Sequence, residues 1–461
     1  MCPSILIAGT HSGVGKTTVS LALMAAFRAR GRQVQPFKAG PDFIDPGHHR
    51  LASGRISRNL DSWMLGAELN CQIFIDASRD ADIAIIEGMM GLFDGASPVN
   101  EQGSTAEIAK QIKAPVLLVI DGSAMARSAA AMVSGYANFD LDLDILGVLV
   151  NRIRSETHFL LIQEAVESLT AIPVVGYLAP HDEVTIGDRH LGLRTAIEQE
   201  DHKRYEILGQ MALETINLDV IEELAQARKD KDYSPVYTSD SSRDVKGGLV
   251  RIGVAYDPAF CFYYQDNLEL LKAAGGEIVL FSPMNDTQLP DAELLYFGGG
   301  YPEIYADVLE KNEAMRQSVY GFARSGKVIF AECGGLMYLT QALTNFEGRS
   351  FDMVGVFSGT VTMQRKSLTL GYRDVHITKT CILGKTGIRV RGHEFHYSSF
   401  ASCGNEQYAC RWTDARSEKQ GQDGLITDNV LALYTHLHFA SQPAIPQHLV
   451  QSAREQVSMV H

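Results

Sequence analysis

The segment that most restricts the fold lies at the start of the chain. An apolar run, SILIAG, leads into GTHSGVGKTT at residues 9–18, and an amphipathic stretch, TVSLALMAAFRARG, follows. A strand, a glycine-rich turn and a helix in this order are typical of a phosphate-binding loop, where backbone N–H groups and the helix N-terminus face the phosphates. The chain is therefore predicted to begin with a strand–loop–helix unit that binds phosphate groups.

Within this loop, Lys16 is expected to reach the terminal phosphates and Thr17 to hold Mg²⁺ through its hydroxyl. The first glycine of the usual spacing is replaced by Thr10, and Gly9 stands one residue earlier. This spacing is that of a variant loop also found in enzymes that phosphorylate carboxylates or carbamates. The loop residues predicted to bind ATP are Gly13, Gly15, Lys16, Thr17 and Thr18.

Short apolar runs alternate with amphipathic stretches throughout the first half of the chain. The runs are apolar along their whole length, which is expected of strands covered on both faces. This alternation predicts an α/β, doubly wound parallel sheet, with ligands beyond the carboxyl ends of the strands. The further predicted strands are VQPFKAG, ADIAIIEG, APVLLVID, ILGVLVNR and IPVVGYLAP.

A polar segment rich in Ser and Asp, RKDKDYSPVYTSDSSRDVKGG, interrupts this pattern and is predicted to be a linker. The strand–helix rhythm restarts with LVRIGVAYD, so a second α/β domain is predicted. The predicted organisation is a first domain at 1–228, a linker at 229–248 and a second domain at 249–461.

Several charged residues follow predicted strands of the first domain. KAGPDFIDPGHH places Lys38 before Asp42 and Asp45, and Glu87 ends an apolar strand. Nucleotide hydrolases place a metal-binding acid at such a strand end. We therefore expect Asp45 and Glu87 to bind Mg²⁺ with Thr17, and Lys38 to offset phosphate charge. A solvated turn capped by an aspartate is the alternative interpretation of this motif.

Two further residues complete the predicted phosphoryl-transfer centre. Asp94 follows Glu87 on the next loop, and Asn151 ends the strand in GVLVNR. Because both stand at or beyond strand ends, they are expected near the phosphate loop. Asn151 is a candidate for contacting the adenine edge of ATP.

In the second domain, Cys333 stands between the apolar run KVIFAE and the helical pattern GGLMYLTQAL. A strand, a tight turn and a helix form an elbow that exposes a side chain above the sheet, and a nearby helix N-terminus lowers the pKa of a thiol. A buried structural cysteine is the alternative. The sequence therefore leaves Cys333 as either a nucleophile or a core residue until the rest of the domain is considered.

Two other segments favour the nucleophile. Gly299 and Gly300, in YFGGGYPE, provide backbone N–H groups for an oxyanion hole. His436 and His438, in ALYTHLHFAS, are predicted to lie on one face of a strand, and one of them can act as the base for the thiol. A cysteine, a glycine-rich loop and a late histidine in a restarted αβ pattern predict a glutaminase.

Composition limits the partners and the compartment. The net charge of −14 argues against nucleic acid as a partner, because duplex binders need a basic surface. Seven cysteines at irregular spacing indicate a reducing compartment, and Cys403 and Cys410 lack the second pair that a zinc site needs. No apolar run reaches the ~18 residues of a membrane span, and no basic leader precedes the first one. A cytoplasmic protein with neither a membrane nor a nucleic-acid partner is predicted.

With both halves considered, the sequence resembles the cobyrinic acid a,c-diamide synthase family of glutamine-dependent corrinoid amidases. The resemblance spans nearly the whole chain. It implies a dethiobiotin-synthetase-like P-loop domain followed by a class I glutamine amidotransferase domain. The motifs that carry it are GTHSGVGKTT, KAGPDFIDPGHH, RNLDSWM, IIEGMMGLFDG, GDRHLGL, VAYDPAFCFYYQDNLELL, FGGGYPE, AECGGLMYL, GHEFHYS and YTHLHF.

The resemblance implies that ATP converts a substrate carboxylate into an acyl phosphate, which ammonia released from L-glutamine at Cys333 then attacks. The macrocycle is expected to be cobyrinic acid or a related tetrapyrrole, amidated at its a and c acetate groups. The resemblance also assigns substrate handling to a group of residues in the first domain. These residues are Asp42, Phe43, Ile44 and Asp94, with Arg58, Arg189 and His190 as possible partners for the macrocycle's carboxylates.

The chain departs from the wider amidotransferase class near its end. The usual His-x-Glu sequence is absent, because Leu437 and His438 follow His436. The resemblance favours His436 as the base and leaves the third member of a triad unassigned. By the same resemblance, His438, His393 and His396 are expected to be structural or to contact the macrocycle.

Two alternatives stay open at this stage. Hydrogenobyrinic acid, nickel-sirohydrochlorin, or the carboxylates amidated by cobyric acid synthase could undergo the same chemistry, because the motifs do not select a macrocycle. A partitioning-type ATPase switch is a more distant alternative. Such switches carry a lysine five residues before Lys16, where this chain has His11.

Overall fold

The computed structural model describes residues 2–184, 186–189, 192–198, 202–228, 248–404 and 406–460. The chain divides into two compact units, Met1–Thr238 and Ser239–His461, which are treated separately below. The predicted linker at 229–248 lies outside the described residues except for its last position, so its boundaries stay predictions. No helix among the described residues is long and apolar enough to cross a membrane.

The first unit consists of seven parallel strands with helices on both faces, together with one short hairpin. Its strands are β1 Ser4–Gly9, β2 Val34–Ala39, β3 Arg58–Leu60, β4 Ile83–Glu87, β5 Val116–Asp121, β6 Ile145–Asn151, β7 Val174–Leu178, β8 Asp188–Arg189 and β9 Gly192–Leu193. Its helices are α1 Lys16–Ala29, α2 Asp45–Ser53, α3 Gly66–Ser78, α4 Thr105–Gln111, α5 Ser128–Phe139, α6 Glu156–Thr170, α7 His202–Thr215 and α8 Leu218–Ala227.

The strand order of this sheet, β3-β2-β4-β1-β5-β6-β7, places β1 at its centre. Ile5 and Ile7 of β1 pack into one hydrophobic cluster, and Leu6 and Ala8 pack into another. Because alternate residues of a strand point to opposite faces, β1 is covered on both sides, which explains its unbroken apolar sequence. The loop that follows β1 therefore opens at the carboxyl edge of the sheet, where ligands of such folds bind.

The second unit has a ten-stranded sheet and a separate four-stranded sheet. Its strands are β10 Val250–Ala255, β11 Gly276–Phe281, β12 Leu294–Phe297, β13 Val328–Glu332, β14 Thr340–Thr344, β15 Ser350–Asp352, β16 Phe357–Met363, β17 Thr369–Ile377, β18 Arg389–His396, β19 Ser398–Ser402, β20 Gln407–Asp414, β21 Gln420–Thr427, β22 Val430–Leu433 and β23 His436–Leu437. Its helices are α9 Gln265–Ala273, α10 Ala306–Lys311, α11 Glu313–Arg324, α12 Gly334–Leu339 and α13 Ala444–Val460.

Strand pairing in the larger sheet changes from parallel to antiparallel from one edge to the other. Its order is β11-β10-β12-β13-β22-β21-β20-β17-β18-β23, with parallel pairing from β11 to β22 and antiparallel pairing from there to β23. The smaller sheet has the order β15-β14-β16-β19. The parallel half matches the predicted αβ rhythm. The antiparallel half and the smaller sheet were not predicted from the sequence.

Candidate functional site

Neighbouring side chains pack closely against glycine residues of the loop between β1 and α1. Gly15 has a φ of 103°, in the left-handed region, and immediately precedes α1. The side-chain amide of Asn151 donates to the carbonyl of Val14 at 2.8 Å, and a Cβ on Gly15 would lie 2.0 Å from that amide nitrogen. Asn151 thus supports the loop directly. This bond uses only one of the two N–H groups of the Asn151 amide, and the predicted adenine contact stays a prediction.

Two residues not singled out in the sequence also hold the loop. Arg152 donates to the carbonyl of Gly13 at 2.6 Å and pairs with Asp121 at 2.5 Å. The Tyr136 hydroxyl donates to the carbonyl of Thr10 at 2.6 Å. These bonds occupy carbonyl groups of the loop. Its shape therefore depends on side chains from β5, the end of β6 and α5.

The predicted charged residues beyond β2 and β4 form one buried cluster. The Lys38 ammonium lies 2.5 Å from an Asp45 oxygen and 2.9 Å from Glu87 Oε1. The Thr17 hydroxyl donates to the same Glu87 oxygen at 2.7 Å. His49, which the sequence did not indicate, lies 2.8 Å from the other Glu87 oxygen. Of the residues predicted for metal and phosphate binding, Thr17 and Lys38 thus contact Glu87, and Asp45 joins the cluster through Lys38.

Charge compensation keeps this cluster ionised. Burial alone would lower the pKa of Lys38, but Asp45 and Glu87 outweigh it and the pKa is raised. Burial alone would likewise raise the pKa of Glu87, but Lys38 and His49 outweigh it and the pKa is lowered. Asp45 differs, because burial and the neighbouring Asp42 raise its pKa. The pKa of Lys16 is lowered by burial and, to a smaller extent, by the neighbouring Lys38.

The donor set at this site fits Mg²⁺. Thr17 and Glu87 present a hydroxyl and a carboxylate oxygen within 2.7 Å of each other, and hard oxygen donors are what Mg²⁺ prefers. Among the described residues, no group of three or more His, Cys, Asp or Glu side chains is arranged to hold a metal ion. A sparse protein ligand set suits Mg²⁺, which usually keeps several waters and takes phosphate oxygens.

The turn between β2 and α2 carries the residues assigned to the substrate. Asp42 accepts from the backbone N–H groups of Ile44 and Asp45, at 2.7 and 3.0 Å, so it caps the start of α2 as the alternative interpretation expected. Phe43 and Ile44 are half-buried. Asp94 is exposed and accepts from the Gly91 N–H at 3.0 Å.

Of the three residues suggested as partners for macrocycle carboxylates, only Arg58 can be described in full. Arg58 lies half-buried at the start of β3. The backbone of Arg189 lies in β8, but its side chain and His190 are outside the described residues. All substrate roles in the first unit stay predictions.

In the second unit, Cys333 occupies the predicted elbow. It connects β13 to α12 with φ 47° and ψ −99°, a backbone conformation that is costly for a residue with a side chain. Its N–H donates to the carbonyl of Leu433 at 2.7 Å, which ties the turn to the end of β22. Strained turns of this kind cluster at active sites, where the surrounding structure holds them in place.

The glycine-rich loop, the elbow and His436 lie against one another. A Cβ on Gly299 would lie 2.3 Å from the His436 ring, and a Cβ on Gly334 would lie 3.1 Å from the backbone nitrogen of Gly300. Gly300 has a φ of 155°, and a Cβ there would lie 2.2 Å from the carbonyl oxygen of Ala259. Side chains are therefore excluded at the places where the sequence predicted an oxyanion hole.

The expected low pKa of the thiol is wrong. Burial, with a smaller contribution from Glu303, raises the pKa of Cys333 well above its ordinary value, and a hydrogen bond from the Gly334 backbone offsets only part of this rise. Burial, together with His393 and His396, lowers the pKa of His436 to about 3. The pair is therefore a neutral thiol and a neutral imidazole. This leaves His436 able to accept the thiol proton as attack begins.

This protonation state leads to a testable pH dependence. In the protein without glutamine, the rate of Cys333 alkylation by iodoacetamide should keep rising with pH past 9.0, the ordinary thiol value, because only the thiolate reacts. Peptide mass spectrometry of the labelled protein measures this rate, and the exposed Cys403 serves as the internal control. A plateau for Cys333 near neutral pH would contradict a neutral thiol.

His438 does not lie on the strand with His436 as predicted. The strand β23 ends at Leu437, and His438 begins a short 3-10 turn with its ring 4.6 Å from that of Tyr264. His393 pairs with His436 in the sheet, and His396 stacks on Tyr434 at 4.1 Å. Burial lowers the pKa of all three, to about 3 for His438 and His393 and about 4 for His396.

A buried ion cluster in β17 and β18 was missed by the sequence analysis. Arg373 pairs with Glu394 at 2.6 Å and also with Asp414, while its guanidinium lies 4.4 Å from the Trp412 ring. Burial and Asp423 raise the pKa of Glu394 to about 7. Arg373 and its contacts come from three separate strands, β17, β18 and β20, so no local spacing could have indicated the cluster.

Comparison with known proteins identifies the class. Residues 5–193 match the CobQ/CobB/MinD/ParA nucleotide binding domain, and residues 251–444 match the CobB/CobQ-like glutamine amidotransferase domain. These two matches define a nucleotide-binding domain joined to a glutamine amidotransferase domain. The parallel sheet and phosphate loop of the first unit and the cysteine elbow of the second agree with them.

Relatives over the full length narrow the class to a family. Proteins named cobyrinate a,c-diamide synthase from Picrophilus torridus and Archaeoglobus fulgidus are each 43% identical, covering 97% and 98% of this chain and 98% and 97% of their own. The Priestia megaterium protein of that name is 44% identical over 98% of this chain and 97% of its own. The chain belongs to the cobyrinate a,c-diamide synthase family, which confirms the predicted family, fold class and enzyme class.

Proposed function

We propose that this protein amidates the a and c acetate carboxylates of cobyrinic acid, using ATP and L-glutamine, in cobalamin biosynthesis. Each amidation would begin with transfer of the γ-phosphoryl group of ATP to a carboxylate oxygen. Ammonia then attacks the acyl carbon, phosphate leaves and an amide remains. The names of the full-length relatives support this assignment of substrate.

The first unit is proposed to carry out the phosphoryl transfer. The loop N–H groups and Lys16 hold the ATP phosphates, while the ammonium of Lys38 compensates the carboxylates of Asp45 and Glu87. Thr17, Glu87 and Asp45 would hold Mg²⁺, which when bound neutralises charge on the phosphate oxygens. Asp42 and Asp94 flank this cluster, so they are proposed to orient the substrate carboxylate.

The second unit is proposed to release ammonia. The Cys333 sulfur attacks the glutamine amide carbon while His436 accepts the thiol proton, and the backbone N–H groups of Gly299 and Gly300 stabilise the oxyanion. The proton then passes from His436 to the leaving nitrogen, giving ammonia and a thioester. Water hydrolyses the thioester to glutamate and restores the thiol.

One observation carries this proposal. The strained Cys333 turn, the crowded glycine loop and the buried His436 ring lie together in a chain whose other unit has a complete phosphate loop. A buried structural cysteine would need neither the strained φ nor a glycine against the imidazole. A nucleotide switch would need none of the second unit.

A substrate panel tests the proposal. The purified protein should be incubated with ATP, Mg²⁺ and glutamine, and separately with cobyrinic acid, hydrogenobyrinic acid and nickel-sirohydrochlorin, and the amide groups added should be counted by mass spectrometry. Two additions to cobyrinic acid, each matched by one ADP and one glutamate, are expected. If the protein amidates only another macrocycle, that macrocycle replaces cobyrinic acid as the proposed substrate. ATP hydrolysis without amide or glutamate would instead favour a partitioning-type switch.

The remaining parts of the proposal concern the environment of the enzyme. Its partners are proposed to be the small-molecule substrates alone, with no nucleic acid and no membrane, and its location the cytoplasm. The acidic net charge of −14 and the irregular cysteine spacing support this.

A further inference from the structure

The segment that carries His436 is held by side chains as well as by sheet hydrogen bonds. Asp423 accepts from the N–H groups of Tyr434 and Thr435, at 2.9 and 3.1 Å, before the histidine. After it, the Asn267 side chain donates to the Leu437 carbonyl and accepts from the Phe439 N–H, at 2.7 and 2.8 Å. Such bonds fix a backbone path that the short strand β23 alone could not.

Glu332 makes the contact nearest to the histidine. Its Oε1 accepts from the Leu437 N–H at 2.7 Å, and its Oε2 accepts from the Tyr296 hydroxyl at 2.6 Å. The Glu332 side chain is buried, and each of its oxygens has a partner. Burial raises the pKa of Glu332 to about 8 in spite of these hydrogen bonds, so the placement of a carboxyl group here needs a reason beyond packing.

We infer that Glu332 is a positioning residue that sets the location of His436 relative to Cys333. The inference rests on the proposed roles of Cys333 and His436. Glu332 directly precedes Cys333, and its partner Leu437 directly follows His436. One side chain therefore links the peptide units next to the thiol and next to the base.

The contact from Glu332 to the backbone takes the place of the acidic residue that a His-x-Glu sequence would supply. His436 has no acidic residue two positions later, where His438 stands instead. Asp423 accepts from the Tyr434 and Thr435 N–H groups and from the Thr435 hydroxyl before the base, and Glu332 accepts from the Leu437 N–H after it. These contacts hold the main chain on both sides of His436. Because a displacement of about 1 Å can cost about 10²-fold in rate, such a link has a measurable effect.

The length of the side chain, rather than its charge, is what this inference predicts to matter. Glu332→Gln keeps an oxygen that can accept from the Leu437 N–H. Glu332→Asp keeps the carboxyl group, but its shorter side chain does not reach that N–H. Glutamate release should therefore fall about 10²-fold in kcat for Glu332→Asp and less than about 10-fold for Glu332→Gln. KM for glutamine should change less than about 3-fold, because neither variant alters groups proposed to bind it.

Matched variants make the outcome interpretable. Tyr296→Phe removes only the Oε2 bond and should behave like Glu332→Gln. Ammonia-dependent amidation should stay within about 2-fold of wild type in all three, which shows that the first unit is intact, and an unchanged thermal unfolding curve shows that the second unit is folded. The opposite order, with Asp active and Gln inactive, would overturn the inference in favour of a charge effect. Equal, near-wild-type kcat values for both would overturn it as well.

Cys333→Ser in the same assay separates this inference from the proposed function. If that variant still releases glutamate, the nucleophile is misassigned and the proposed function fails at its second unit. If it is inactive while Glu332→Asp is fully active, the nucleophile stands and only the positioning role of Glu332 is overturned.

Discussion

Replacing Cys333 with serine should abolish glutamine-dependent amidation and leave ammonia-dependent amidation intact. The serine hydroxyl is a far weaker nucleophile than a thiol, because its proton is much harder to remove. Glutamate release should fall by about 10³-fold or more. Chromatographic measurement of glutamate and mass spectrometry of the amide product, with glutamine or ammonium chloride as the nitrogen donor, check both halves of the expectation.

A matched substitution elsewhere supports this experiment. Cys403 is exposed and lies in β19's trailing turn, so Cys403→Ser should retain both activities. A Cys333→Ser protein that is folded but inactive with ammonia as well would count against two separate centres. Serine is suited to this test because it keeps a small polar side chain at the strained turn.

The parallel sheets could be predicted from the sequence because their determinants are local. Alternate residues of β1 enter opposite clusters, so an unbroken apolar run was a reliable sign of a covered strand. The phosphate loop and the cysteine elbow are likewise local, since each needs only a strand, a turn and a helix in sequence. All three predictions match the described structure.

The antiparallel half of the second sheet depends on pairings between distant segments. β17 pairs with both β18 and β20, and many of its residues are only partly buried, so its sequence lacks a clear apolar signal. Strands that are buried on only one face alternate apolar and polar residues, and whether they form depends on the strands they pair with. The αβ rhythm therefore could not be extended to the end of the chain.

The chemistry of the two sites was predicted less well than their residues. The Glu87 contacts to Lys38 and His49 join segments 49 and 38 positions apart, and only the register of β2 on β4 brings Lys38 beside Glu87. The Cys333 pKa depends on how deeply the core covers the turn, which residue spacing does not specify. Residue types identified the candidates, and tertiary burial decided their protonation.

The two units solve opposite electrostatic problems. In the first, Lys38 and Glu87 are buried and keep each other ionised, which suits a site that receives phosphates. In the second, burial holds Cys333 and His436 neutral, which suits a proton transfer that begins with substrate attack. Removing one lysine charge is therefore expected to reduce phosphoryl transfer in the first unit more than ammonia release in the second.

Lys16→Ala should remove synthesis with either nitrogen donor. Lys16 begins α1 directly behind the loop, and its ammonium donates to the His11 carbonyl at 3.4 Å, a weak contact that phosphate oxygens would replace. Its lowered pKa, caused by burial and by Lys38, marks a cation that a bound anion would stabilise. Amide formation should fall about 10²- to 10³-fold with glutamine or ammonia, measured by mass spectrometry of the macrocycle.

The position of Lys16 makes this expectation specific to phosphate binding. Lys203→Ala removes the same charge from α7 of the same unit, where the side chain is 73% exposed, and should leave synthesis unchanged. Glutamate release by the second unit should persist in Lys16→Ala, because its cysteine, glycine loop and histidine all lie beyond residue 298. A Lys16→Ala protein that still makes amide at the wild-type rate would refute the phosphate role, because no other loop residue carries an ammonium group.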